Sequence, residues 1–210
     1  MAEITPDSAE THGLLRQAAA GDQRAFDQLL ARHRNSLCKF VELRIDPKMR
    51  ARVDASDVVQ ETQLEAFRRL PDFLKRQPMP FHVWLRKTAY ERLLMARRQH
   101  VDAGQRAVGR EVPLPDRSSL LLAARLIPKG STPSQRLGRR ELAQRVHRVL
   151  QGLPAADREI LLMRNVEERS YQEIACILDI DPAAARKRYG RALFRLHALL
   201  VEDGLTDIQP

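Results

Sequence analysis

Aromatic residues make up only 5% of this 210-residue chain, and glycine is scarce, whereas leucine, alanine and arginine dominate. That balance argues against a sheet-rich fold and for helices. No stretch approaches the roughly 18 consecutive apolar residues of a membrane span, and the opening MAEITPDSAE is acidic, unlike a signal peptide. The cysteines are two, Cys38 and Cys176, at helical apolar positions in different halves. Neither has a Cys or His at ligand spacing, so they read as reduced core residues of a cytoplasmic protein with no metal site. Low-complexity tracts and fixed-period repeats are lacking too. So are the parts of an enzyme: the six histidines are scattered, there is no Gly-rich phosphate loop and no His-x-x-x-His pair. His33 is an isolated, partly buried histidine. Glu167-Glu168 are adjacent on a turn, point apart and are simply solvated. No catalytic residue and no cofactor are expected.

What is present is positive charge. The net charge of +9 and isoelectric point near 10.2 fit a polyanionic partner. One stretch, Ser170 to His197, organises the chain. Ser170 and Glu173 have the spacing of a capping box, and Ile174, Ala175 and Leu178 stripe the short helix that follows. Asp179-Ile180-Asp181 is a tight turn, with Asp181 and Pro182 as N-cap and first residue of a second helix. On the second helix Ala185, Tyr189, Ala192, Leu193 and Leu196 share one side. Lys187, Arg188, Arg191 and Arg195 share the other, and no acid occurs between Pro182 and His197. Helix, tight turn and a helix apolar behind and cationic in front form a helix-turn-helix, whose second helix enters a DNA major groove.

The preceding chain also reads as helices. One spans about Glu10 to Ala20, and Gly21-Asp22 breaks and recaps it. The next carries Phe26, Leu29, Leu30, His33, Leu37, Phe40 and Val41 and ends at Asp46-Pro47. Asp54 or Ser56 caps a helix to about Leu70, with Val59, Thr62, Ala66 and Leu70 inward. Asp57, Gln60, Glu61, Leu64 and Arg68 face outward, a leucine within a mostly acidic face that suits contact with another protein. After a loop interrupted by Pro71, Pro78 and Pro80, a helix runs from Phe81 to His100. Phe81, Trp84, Leu85, Ala89 and Ala96 share one side; Arg92 falls within it, its stem buried and its head reaching water. Arg86, Tyr90 and Arg97 lie opposite, flanked by Lys87 and Arg98, a mix that suits unstacked single-stranded DNA. Trp84 reads as core.

Several segments resemble one family. Ser170-Tyr171-x-Glu173-Ile174-Ala175, Leu178 and the Arg188…Arg191-Ala192-Leu193 tail are similar to the promoter-binding end of bacterial sigma factors of the small, two-domain extracytoplasmic-function (ECF) type. LPAADREILLMR, from Leu153, resembles the segment before that motif. Asp57-Val58-Val59-Gln60-Glu61-Thr62 is similar to the D-[LV]-V-Q-E-[TV] segment that grips the clamp helices of RNA polymerase. Trp84-Leu85-x-x-x-Ala89 looks like the element that recognises and opens the −10 region. The chain departs from the family at Asp179, where the turn usually has Gly, and at Glu91, often Asn.

The resemblance implies an all-α initiation factor of two small helical domains joined by an irregular linker, with a C-terminal helix-turn-helix. Residues 10–100 would be the N-terminal domain, contacting core polymerase through Asp57, Gln60, Glu61 and Leu64. Arg86, Lys87, Tyr90, Arg97 and Arg98 would meet −10 DNA. Residues 101–131, with a short amphipathic helix from Ser118 to Ile127, would be the linker. Thr132-Pro133-Ser134-Gln135 would restart regular structure in a domain over 132–203, with Leu142, Val146, Val149 and Leu150 striping its first helix. There Ala184, Arg186, Lys187, Arg188, Arg191 and Arg195 would read the −35 element. Residues 1–9 and 204–210 would be tails. Implied partners are the polymerase clamp helices and flap and promoter DNA, with an anti-sigma factor left open and no membrane. The alternative is a stand-alone helix-turn-helix repressor or activator, which leaves Asp57–Thr62 and the Arg/Tyr helix without a role.

Overall fold

The computed structural model describes residues 4–45, 53–104 and 145–204 apart from 147, and of 100–104 the backbone only. Every regular element among them is helical. The chain divides into two compact units, Glu3–Pro113 and, from Leu114 on but for Cys176–Leu178, a C-terminal one. The expected Asp46-Pro47 break, the Ser118–Ile127 helix, Leu142 and the Thr132–Gln135 restart lie outside the described residues.

In the first unit, α1 (Ala9–Ala19) is capped by Ser8, whose hydroxyl accepts the Thr11 N–H at 3.2 Å. Gly21, at φ 93°, makes the turn into α2 (Gln23–Glu42), and Asp22 caps it by accepting the Arg24 N–H at 2.9 Å. Asp54, rather than Ser56, caps α3 (Ala55–Arg76), and α4 covers Phe81–Gly104. These helices enclose a core that includes Leu29, Leu37, Phe40, Val59, Ala66, Phe81, Leu85 and Leu93. Trp84 belongs to it, stacked on Phe73 with ring centroids 4.6 Å apart.

Two boundaries differ from the sequence expectation. Helix α3 does not stop at Leu70 but runs through Pro71 to Arg76. Pro71 removes the hydrogen bond to the Phe67 carbonyl, yet both residues lie on the exposed side, where water can take that carbonyl. Burial of Leu70 and Phe73 on the other side carries the helix onward. It ends at Gln77, left-handed at φ 36° before Pro78. Helix α4 likewise passes His100 and takes in Val101–Gly104, residues expected in the linker, because no proline interrupts it.

The start of α4 is tied to the chain's beginning. The Asp7 carboxylate accepts N–H bonds from Phe81 at 2.5 Å and His82 at 3.2 Å, and meets His82 Nδ1 at 2.9 Å. Burial works to raise the Asp7 carboxyl, but the His82 ring and the two N–H groups outweigh it and hold it below its ordinary range. Near this site the His33 ring lies 5.5 Å from Phe81 with its Nε2 buried and unpartnered. Burial, followed by the charge of Arg86, lowers its pKa from 6.5 to about 4. Between those values the unfolded chain binds the proton and the folded one does not, so stability falls as pH drops from 6.5 toward 4. Asp7 contributes stability above its unfolded pKa of 3.8 that is lost as pH falls further. Denaturation midpoints recorded against pH are expected to fall through both windows, and His33→Leu to flatten only the upper one; a wild-type midpoint constant from pH 6.5 to 4 would contradict this.

In the C-terminal unit, residues 145–146 and 148–152 are helical and bury Val146, Val149 and Leu150. Helix α5 (Ala155–Leu161) follows and continues as a π turn, Leu162–Val166. Ile160 to Met163 are all buried, so the chain is enclosed on every side where the α-helix widens into the π turn. Then come α6 (Tyr171–Leu178) and α7 (Pro182–Glu202), which packs across α5 through Ala185, Ala192, Leu196 and Leu200.

Candidate nucleic-acid interface

The capping box at the start of α6 is complete. Ser170 Oγ accepts the Glu173 N–H at 3.1 Å, and Glu173 Oε2 accepts the Ser170 N–H at 2.9 Å. Both residues are buried. Ser170→Ala is therefore expected to cost about 1 kcal/mol, read as a lower melting temperature of the C-terminal unit; an unchanged value would contradict the cap's role.

Asp179 ends α6 in the left-handed region at φ 56°, ψ 49°. The Ile180 N–H reaches the Ala175 carbonyl at 3.1 Å, which closes a Schellman-type turn. Asp181 then caps α7 through the Ala183 N–H at 2.7 Å, with Pro182 in the first turn. The strain at Asp179 is the cost of using Asp where Gly fits best. Helix, tight turn and helix thus follow from three side chains and one left-handed residue.

Helix α7 presents its two faces as its periodicity requires. Ala185, Ala192 and Leu196 are buried, and Tyr189 and Leu193 are half-buried. Ala184, Arg186, Lys187 and Arg191 are exposed and Arg188 is half-buried. Arg195 is also exposed, but its guanidinium forms an ion pair with the buried Asp157 on α5. That contact serves the fold and separates Arg195 from the other cations of the face.

Arg164 and Asn165, to which sequence reasoning gave no role, gather beside this face with Tyr171. The guanidinium carbons of Arg164 and Arg186 lie 5.0 and 5.4 Å from the Tyr171 ring centroid. Tyr189 sits edge-on to the same ring, and its hydroxyl donates to Asn165 Oδ1 at 3.0 Å. Tyr171 stood within the motif, but only the fold brings Arg164 to it.

In the first unit, Asp57, Gln60 and Glu61 are exposed on α3 and Leu64 is 56% exposed. Phe67, absent from the sequence candidates, extends this face: it is 50% exposed, with its ring 5.6 Å from Phe26. Thr62 points the other way, its hydroxyl donating to the Val58 carbonyl at 2.7 Å. On α4, Arg98 is exposed, while Arg86, Lys87, Tyr90 and Arg97 are half-buried. Tyr90 packs against the core, Arg86 donates to the His82 carbonyl at 3.2 Å and Arg97 to the Arg44 carbonyl at 2.5 Å. Arg92 is explained by an ion pair with Glu65 at 2.6 Å. Glu91 pairs with Arg69 at 2.7 Å, so α3 and α4 are bridged twice.

Comparisons with known proteins agree with this geometry. The family model described as Sigma-70, region 4 matches residues 143–196, which include the helix-turn-helix. The RNA polymerase sigma factor CnrH of Cupriavidus metallidurans is 32% identical over 201 residues, covering 95% of this chain and 98% of that protein. The ECF RNA polymerase sigma-E factor of Escherichia coli K12 is 29% identical over 179 residues, 85% of this chain and 88% of its own length. Among solved structures, CnrH in complex with the cytosolic domain of CnrY superposes with a TM-score of 0.57 at 28% identity, covering 92% of this chain and 99% of that one. The sigma factor RpoE of Bartonella quintana, solved with the anti-sigma factor NepR, shares the fold with a TM-score of 0.55 at 21% identity, over 84% and 96% of the two chains. Full-length similarity, the region 4 match and the helix-turn-helix together place the chain in the ECF group of the sigma-70 family of RNA polymerase sigma factors.

Proposed function

We propose that this sigma factor assigns its tasks to separate surfaces. The Asp57, Gln60, Glu61 and Leu64 face of α3 docks on the core polymerase. The basic positions of α4 (Arg86, Lys87, Tyr90, Arg97 and Arg98) meet the −10 element, with Arg98 the most accessible. Ala184, Arg186, Lys187, Arg188 and Arg191 of α7 read the −35 element; Arg195 joins them only from its anchor on Asp157. Bond-making belongs to the polymerase, and the chain supplies addressing and strand opening in the cytoplasm. The observation that carries the reading is the acid-free, exposed face of α7 held in helix-turn-helix geometry. No helix among the described residues is long and apolar enough to cross a membrane. CnrH was solved with the cytosolic domain of CnrY, and the Bartonella quintana factor with the anti-sigma factor NepR, which supports an anti-sigma partner here.

The stand-alone repressor reading is not favoured, because the similarity to sigma factors extends over both units rather than the helix-turn-helix alone. Footprinting of the reconstituted holoenzyme on its promoters tests the assignment. Arg86→Ala with Arg98→Ala is expected to reduce permanganate-reactive thymines near −10 while upstream protection remains. Lys187→Ala with Arg191→Ala should remove the upstream protection. The opposite pattern would reverse the assignment.

A further inference from the structure

Among the cations of α7, Arg186 is distinguished by what surrounds it. The nearest positions on its own helix, Pro182, Ala183, Tyr189 and Gly190, offer no carboxylate to hold it. Its guanidinium lies instead over the ring of Tyr171, 5.4 Å from the centroid. That ring is itself fixed. It belongs to the first residue of α6, inside the Ser170–Glu173 capping box, and Tyr189 packs edge-on against it at 5.8 Å. Arg164 lies 5.0 Å from its centroid while donating to the Arg169 carbonyl at 2.8 Å. A guanidinium held over a rigid ring has already lost much of the freedom that binding would otherwise take from it. Arg186 also lies in the second turn of α7, the end of a recognition helix from which base edges are read.

We propose that Tyr171 is a positioning residue for promoter recognition: its ring preorganises Arg186 for a base edge in the upstream element. This rests on the reading of α7 as the DNA-reading helix. A cation–π contact at an exposed site is worth about 0.5–1 kcal/mol, so its loss weakens binding about two- to fivefold. The hydroxyl of Tyr171 has no part in this contact; only the ring does.

The test measures affinity of the full chain, assembled with core polymerase, for a promoter fragment from a mapped start site and for the same fragment with its upstream element scrambled. Tyr171→Leu should weaken promoter binding about two- to fivefold and leave binding to the scrambled fragment unchanged. Tyr171→Phe, which keeps the ring, should restore the affinity. In an Arg186→Ala background, Tyr171→Leu should have no further effect. The proposal is overturned if the loss persists in that background, if both fragments are affected equally, or if Tyr171→Phe behaves like Tyr171→Leu. Thermal melts of each variant separate these results from misfolding. Lys187→Ala with Arg191→Ala, measured alongside, isolates the underlying reading: if these act and Tyr171→Leu does not, positioning alone fails; if they too are silent, α7 is not the reader.

Discussion

Replacing Lys187, Arg188 and Arg191 together by alanine is expected to abolish promoter-directed initiation while leaving the fold intact. Each side chain is exposed or half-buried, and none forms an ion pair among the described residues. Alanine is the best helix former, so α7 loses nothing in propensity. The binding term they supply is counterion release: each cation on a phosphate contributes about 0.9 to the slope of log affinity against log salt. The slope should therefore flatten by that amount for every cation that meets a phosphate, with a further loss of sequence preference for any that meets a base. Arg195 is left out by design, because removing it strands Asp157, a buried carboxylate, without its partner. Unchanged affinity and slope in the triple variant would return the face to ordinary solvated surface.

The second large effect is expected on the other unit. Glu61→Lys reverses a charge at the middle of the exposed α3 face, between Asp57 and Leu64. Bringing like charges together in a complementary interface costs several kcal/mol, which is roughly a hundredfold or more in affinity for core polymerase. Phe67→Ser should weaken the same interaction, since the ring extends the apolar part of that face beyond Leu64. Circular dichroism and thermal melts should be unaltered for Glu61→Lys, whose side chain takes no part in the core. Equal co-elution of wild type and Glu61→Lys with the polymerase would sink the docking assignment.

The elements of the fold were legible where local chemistry decides them. Ser170 with Glu173, Asp181 with Pro182, and Asp22 after Gly21 each fix a helix start by a side-chain cap, and all three are present. Sequence reasoning missed where tertiary burial overrides a local signal. Pro71 reads as a breaker, yet Phe73 stacked on Trp84 continues α3 beyond it. The π turn at Leu162–Val166 has no local signature. The candidate site divides in the same way. Exposure along α3 and α7 follows from period 3.6 alone, so Asp57, Glu61, Lys187 and Arg191 could be named from the wheel. Partners distant in sequence could not: Arg195 with Asp157 and Arg92 with Glu65 depend on how helices cross.

The most direct test of the central claim is transcription in a defined system. Purified core polymerase is supplied with fragments of the source genome, with and without this chain, and the 5′ ends of the RNA are mapped. Discrete start sites are expected that appear only when the chain is added and that share an upstream and a downstream element. Transcripts indistinguishable from those of core polymerase alone would contradict it.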